Sequence, residues 1–135
     1  VGQAAVRRAA VTASSRSAMR HALSGGRSTI LWTLSAEERR VRWARVTSGR
    51  PCAFCAMLAS RGPVFRGEDA AGFQAHDGCL CSVMVVYNPL EGWTEQATEY
   101  RGLWEESTGD LSGRDALNAF RRALANTPAA LPAAA

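Results

Sequence analysis

All four cysteines of the chain, together with one of its two histidines, lie in a single 30-residue window. They form a C-x-x-C motif at Cys52 and Cys55, followed by an H-x-x-C-x-C motif at His76, Cys79 and Cys81. Zn²⁺ prefers four thiolate or imidazole ligands in a tetrahedron, and two ligands that are close in sequence can come from one tight turn. The spacing therefore predicts a structural zinc site that folds this part of the chain around one ion.

Five candidate ligands compete for four positions. The set we favour is Cys52, Cys55, His76 and Cys81, with Cys79 able to replace either member of the second pair. Two disulfides are one alternative, and free buried cysteines are another. No signal peptide is visible, although the chain begins with Val rather than Met.

Length and composition limit the classes of protein. A chain of 135 residues, 47% hydrophobic and 21% charged, is typical of one globular domain small enough to gain useful stability from a metal. No apolar stretch approaches the roughly 20 residues that a helix needs to cross a bilayer. We therefore expect that the chain is not an integral membrane protein. Its basic residues are all arginine, yet the net charge of +4 is too small to predict nucleic-acid binding by itself.

The N-terminal part is expected to be helical. Residues 1–23 are rich in Ala and Arg and contain no helix breaker beyond Gly2, so they predict a helix that ends at Gly25-Gly26. Ser35 and Glu38 fit a capping box, which predicts a second helix from Ala36. The arginines of that helix are the best candidates for contact with phosphate, and they weakly predict a nucleic-acid-binding surface. They are Arg39, Arg40, Arg42 and Arg45.

The segment between the two motifs, residues 56–75, is predicted to be a loop or a short ribbon. Residues 80–87 form an apolar, β-branched run that predicts a buried strand. Because side chains alternate along a strand, Cys79 and Cys81 would point the same way. Two C-terminal helices follow, over residues 94–107 and from the capping residue Ser112 to about Ala125.

These elements predict an α+β fold, with helices flanking a small antiparallel β element that the Cys/His zinc site organises. We expect four regions: an N-terminal helical tether at 1–34, a zinc-binding core at 35–90, a C-terminal helical pair at 91–126, and an Ala/Pro-rich tail at 127–135.

Most enzyme chemistry that uses such motifs does not fit. The P-C-x-x-C at Pro51 is half of a zinc deaminase signature, but the H-x-E half is missing. A thioredoxin-like site needs a strand before the C-x-x-C, whereas we expect a helix there. A Cys-His hydrolase draws its nucleophile and base from separate elements, and His76 is too close in sequence to Cys79 and Cys81 for that arrangement. A catalytic zinc with Asp77 or Glu68 as base stays open.

Three segments together resemble a known family. They are Trp43-Ala44-Arg45-Val46, the run from Cys52 to Gly62, and His76-Asp77-Gly78-Cys79-Leu80-Cys81. This succession resembles the phage Mu F-like minor head proteins, especially those of actinobacteriophages, over residues 35–87. Asp77 stands where that family usually has proline and Leu80 where it usually has arginine, while the metal ligands are intact.

The resemblance implies a structural virion protein rather than an enzyme. Such a protein would be a minor component of the phage head, assembled in the bacterial host cytoplasm and located near the portal or inside the capsid. There it would assist head assembly, DNA packaging or ejection. Its partners would be the portal or major capsid protein, with packaged DNA as a further contact and neither a membrane nor a small-molecule substrate.

Two other functions remain alternatives. A small zinc-dependent hydrolase or nuclease would have three protein ligands, a bound water and a nearby carboxylate. A stand-alone DNA-binding module would show an affinity that depends strongly on salt.

Overall fold

The computed structural model describes residues 2–37, 39–66 and 73–128. Within these ranges the chain forms four helices and two strands. In chain order they are α1 (Gln3–Ser35), β1 (Arg42–Val46), α2 (Ala53–Ala59), β2 (Ser82–Val86), α3 (Glu95–Thr108) and α4 (Gly113–Asn126). The predicted α+β class, with helices around a small antiparallel sheet, is confirmed.

The two strands pair antiparallel, with Trp43 opposite Val85 and Arg45 opposite Val83. Trp43 is 1% exposed and stacks on Phe65, with ring centroids 4.5 Å apart. Leu31 from the last turns of α1 joins this apolar cluster. The sheet therefore gains its core from β-branched and aromatic residues on one face and from α1 beside it.

A second apolar cluster joins the three shorter helices. Ala53, Ala56 and Ala59 of α2 pack against Tyr100 of α3 and Phe120 of α4. The small alanine side chains allow α2 to lie close to its neighbours, and Phe120 is fully buried. This packing fixes α2, the helix that carries the C-x-x-C motif.

The predicted end of the first helix is wrong. α1 continues through Gly25-Gly26 to Ser35. Two interior glycines cost a helix about 1 kcal/mol each relative to alanine. Beyond them, however, Arg27 and Leu31 are both buried against the body of the protein, and these contacts hold the last turns helical. Tertiary packing overrides the local preference.

The second predicted helix is also wrong, because its residues form strand β1. Ser35 is the last residue of α1, and its hydroxyl donates to the Leu31 carbonyl at 3.0 Å instead of capping a new helix. Glu38, the other half of the supposed capping box, lies outside the described residues. Pairing with β2 and burial of Trp43 decide the structure of this segment.

The remaining predictions fare better. The expected loop at 56–75 is partly wrong, since α2 extends to Ala59, while β2 lies inside the predicted strand. α3 begins after Thr94, whose hydroxyl accepts from the Ala97 amide at 3.0 Å, and α4 begins after Ser112 as predicted. The division of the chain into four regions at residues 34, 90 and 126 stays a prediction.

None of the helices in the described ranges is long and apolar enough to cross a membrane.

Candidate metal centre

The structure brings all five predicted ligands together. Cys52, Cys55 and His76 form one group, and Cys55, Cys79 and Cys81 form another. Within each group every ligand atom lies within 4.8 Å of the others. Cys55 belongs to both groups, so the two sequence motifs meet at its sulfur.

The start of α2 positions the first pair. Cys52 is the N-cap residue, with extended backbone angles, and its Sγ accepts a hydrogen bond from the Cys55 amide at 3.4 Å. Cys55 sits three residues further on, inside the first turn, and is 1% exposed. One helical turn thereby presents both sulfurs at the same end of α2.

His76 is held in the orientation of a metal ligand. Its Nδ1 lies 2.9 Å from the Asp77 carbonyl oxygen, which can only accept, so Nδ1 carries the proton. Nε2 then has a free lone pair and lies 3.0 Å from the Cys52 Sγ. The hydrogen bond to Asp77 and, after it, the bond to Cys52 raise the pKa of the imidazole. A backbone acceptor on the second ring nitrogen is the usual support of a metal-bound histidine.

Cys79 and Cys81 enter the site from the residues just before β2. Both are 3% exposed, whereas Leu80 between them is exposed. The predicted alternation therefore puts the two sulfurs on the same side. A hydrogen bond from Cys55 lowers the pKa of the Cys81 thiol, and the same bond, with burial, raises the pKa of the Cys55 thiol.

The spacing of the sulfurs fits a tetrahedral ion. Zn–S bonds of about 2.3 Å at a tetrahedral angle place two sulfurs about 3.8 Å apart. The Sγ atoms of Cys55 and Cys79 lie 3.8 Å apart, and all four cysteines are free thiols. The donor set, two cysteine pairs and an oriented imidazole, suits zinc chemistry.

Two buried arginines, which the sequence did not single out as parts of the site, surround the cysteines. Arg27 of α1 donates from Nε to the Cys81 carbonyl at 2.9 Å and from Nη2 to the Cys79 carbonyl at 2.8 Å. Arg45 of β1, 2% exposed, donates from Nη1 to the Cys55 Sγ at 3.4 Å. Phe73 packs beside both guanidinium groups. The centroid of its ring lies 4.7 Å from Cζ of Arg27 and 3.9 Å from Cζ of Arg45.

Neither of these arginines pairs with a carboxylate among the residues that the structure describes. A buried cation without a counter-charge costs several kcal/mol in order of magnitude. Zn²⁺ on three or four thiolates carries a net negative charge, so a metal-thiolate centre would supply an anion beside these two arginines. Nothing in the local sequence marks these two among 16 arginines, because their burial depends on the tertiary path of α1 and β1.

The weakly predicted nucleic-acid surface changes in composition. Arg45 is buried against Cys55 and is not available to a phosphate. Arg39 pairs with Glu37 at 2.8 Å, and Arg40 is exposed while Arg42 is half-buried. The four do not share a helix, since Arg42 and Arg45 lie on β1. Phosphate binding by Arg39, Arg40 and Arg42 stays a prediction.

The carboxylates that a catalytic zinc would use are placed differently. Asp77 follows His76, but its Oδ1 lies 2.7 Å from Arg20 Nε in an ion pair with α1. Glu68 lies outside the described residues. Asp77 is therefore engaged in binding the helix.

Comparisons with known proteins point to one family. The model of the family described as "VG15 protein" matches residues 3–107. The "Gene 15 protein" of Mycobacterium phage D29 is 30% identical over an alignment that covers 45% of this chain and 33% of that relative. The chain thus matches about a third of the length of that phage protein. No solved structure matches the chain.

Proposed function

The chain belongs to the VG15 protein family, and from that membership we propose that it is a structural minor head protein of a tailed phage, stabilised by zinc. In this proposal the protein resides in the virion, near the portal or in the capsid interior. It contacts the portal or the major capsid protein and assists head assembly, DNA packaging or ejection. It acts on no small molecule and meets no membrane.

The family match supports the phage origin, because a relative is encoded by a mycobacteriophage. The resemblance of residues 35–87 to the Mu F-like minor head proteins supports the finer assignment. The segments that carry this resemblance include all five residues that meet at the candidate metal centre.

The observation that carries the structural role is the convergence of the five predicted donors in two groups that share Cys55. In this proposal four of these donors complete a zinc tetrahedron and leave no position for a catalytic water. The adjacent Asp77 carboxylate forms an ion pair with Arg20 through its Oδ1 atom. Such a centre contributes folding energy, as structural zinc sites do. We therefore propose a protein that binds and holds rather than one that catalyses.

Purified virions test the location. Mass spectrometry of gradient-purified particles of the encoding phage should find the chain in a few copies per particle. A phage that carries the double substitution Cys52→Ser and Cys55→Ser should yield fewer filled heads. Detection of the chain in infected-cell lysates together with its absence from purified particles would overturn the proposal.

Activity and DNA-binding assays distinguish the other functions. Zinc-loaded protein should leave linear and supercoiled DNA intact, whereas cleavage that is lost on chelation would indicate a nuclease. Tight DNA binding that weakens steeply with salt, without affinity for portal or capsid protein, would indicate a stand-alone DNA-binding module.

A further inference from the structure

Helix α1 is anchored to the segment that supplies three of the five candidate ligands. This segment, residues 76–81, is called the ligand loop below. Its contacts with α1 begin at the Gly78 amide, which donates to the Arg16 carbonyl at 3.1 Å. They continue through the ion pair of Arg20 with Asp77 and end at Arg27.

One carbonyl joins α1 directly to a ligand. The Asp77 oxygen accepts from Arg16 Nη2 at 3.0 Å and lies 2.9 Å from the His76 Nδ1 that donates to it. The peptide group that orients the imidazole therefore also binds the helix. A shift of His76 would change both hydrogen bonds.

Arg27 makes the corresponding contact at the other end of the ligand loop. It is 6% exposed, and its guanidinium group spans the carbonyls of Cys79 and Cys81. In the same backbone conformation, the sulfurs of Cys79 and Cys81 lie within 4.8 Å of the Cys55 sulfur. The conformation that binds Arg27 therefore also brings these ligands together.

Gly78 permits the close approach. Its φ is +80°, and an added Cβ would lie 2.7 Å from Arg16 Nε. Without a bound ion, only weak hydrogen bonds, such as those between His76 Nε2 and Cys52 and between the sulfurs of Cys79 and Cys55, would join the ligand loop to the start of α2. The contacts with α1 would then lose their partner surface.

We propose that metal binding seats helix α1 on the body of the protein, with Arg27 as the positioning residue that couples the two. Loss of the ion releases residues 16–27 of α1 from the ligand loop, while α3 and α4 stay folded. The N-terminal third of α1 is exposed to solvent on all sides. The contacts of α1 with the ligand loop therefore determine the orientation of this exposed part of the helix. This inference rests on the proposed metal site.

Trypsin provides a direct test on the full chain, because arginines lie along α1. Cleavage after Arg16 and Arg20 reports whether α1 is in contact with the ligand loop. Cleavage after Arg7, which is exposed, is the reference. Cleavage after Arg101 and Arg121 reports whether α3 and α4 are folded. Zinc content is measured on the same samples. Removing zinc should raise cleavage after Arg16 and Arg20 about tenfold relative to Arg7, a typical size for coupling between sites, with little change at Arg101 and Arg121.

Substitution of Arg27 distinguishes the contact of α1 with the ligand loop from metal binding itself. Zinc-loaded Arg27→Met should keep its metal yet be cleaved after Arg16 and Arg20 nearly as fast as chelated wild type. Arg27→Lys should restore part of the protection, since an ammonium can donate to both carbonyls. Arg8→Met, in the exposed third of α1, is the matched control and should behave as wild type.

The outcomes distinguish failure of the coupling between the metal and α1 from failure of the metal site itself. Bound zinc whose removal leaves cleavage after Arg16 and Arg20 unchanged would overturn the coupling and leave the metal site intact. Equal acceleration at Arg101 and Arg121 would mean general unfolding and would also overturn it. Absence of bound zinc would overturn both proposals. Should Arg27→Met fail to fold, the wild-type chelation experiment and Arg27→Lys decide the question.

Discussion

At the scale of single residues, Cys55 is the centre of the site. It is the ligand common to both groups, it is 1% exposed, and Arg45 donates to its sulfur. The other four candidates each belong to one group. Loss of Cys55 therefore removes a donor from both groups.

We expect Cys55→Ser to abolish stoichiometric zinc binding and to lower the melting temperature under reducing conditions. Single substitutions of Cys52, His76, Cys79 and Cys81 by serine should be unequal, because five donors exceed the four that zinc needs. One of them should retain near-normal affinity, and the competition of each variant with a colorimetric chelator measures this. Retention of one equivalent of zinc by Cys55→Ser would contradict this account of the site.

The ligands and their supporting residues differ in how far sequence predicts them. Thiol and imidazole groups at short, paired spacing are characteristic of metal sites, so the sequence alone predicted the five candidate ligands that the structure brings together. Arg27 and Arg45 could not, because an arginine beside a thiolate is distinguished from a solvated one only by burial. The orientation of His76 by the Asp77 carbonyl likewise depends on backbone geometry.

At the scale of elements, α1 shows how tertiary contacts decide local structure. Gly25-Gly26 and the capping pattern at Ser35 both indicated a break, yet the helix runs through the first and ends at the second. Residues 42–46 contain two Arg among three apolar residues, a pattern that suits a helix or a strand, and pairing with β2 selects the strand. The C-terminal helices had stronger periodicity and were predicted well.

Substitution of the α1 glycines tests the continuous helix. Gly25→Ala and Gly26→Ala should each raise the free energy of unfolding by up to about 1 kcal/mol, because an added Cβ meets nothing within 4 Å at either position. Urea denaturation followed by circular dichroism measures the change. Destabilisation by both substitutions would indicate that the helix ends at these glycines.

Gly62 tests the turn that follows α2. Its φ is +64°, and an added Cβ would lie 2.5 Å from the Trp93 ring. We expect Gly62→Ala to cost about 2 kcal/mol or more, from backbone strain together with overpacking. Gly49→Ala is the matched control, with φ +60° and open space around its Cβ, and should cost only the strain of about 1 kcal/mol. Equal effects in urea denaturation would show that contact with Trp93 is unimportant.

At the scale of the whole molecule, the cysteines lie between two separate apolar clusters. One cluster holds the sheet and the end of α1, and the other holds α2, α3 and α4. Cys55 comes from an element of the second cluster, while Cys81 leads into β2 of the first. A bound ion would therefore join the two halves of the core.

Acid should weaken this connection. Cysteine and histidine bind metal only when deprotonated, so protons compete with zinc as pH falls. The hydrogen bond between Cys55 and Cys81 lowers the pKa of Cys81 and raises the pKa of Cys55, so these two shifts oppose each other. Competition of protons with the metal for the ligands therefore sets the direction of the pH dependence. We expect the melting temperature of zinc-loaded protein to fall toward that of chelated protein between neutral pH and about pH 5. Parallel pH profiles for the two forms would contradict this.

The most direct test of the central claim is the zinc content of protein purified under reducing conditions, measured by elemental analysis and paired with thermal melts before and after chelation. The account predicts one equivalent of zinc per chain and a large fall in melting temperature when it is removed. Protein that contains no metal, with a melt that a chelator leaves unchanged, would contradict the claim that a zinc centre stabilises this fold.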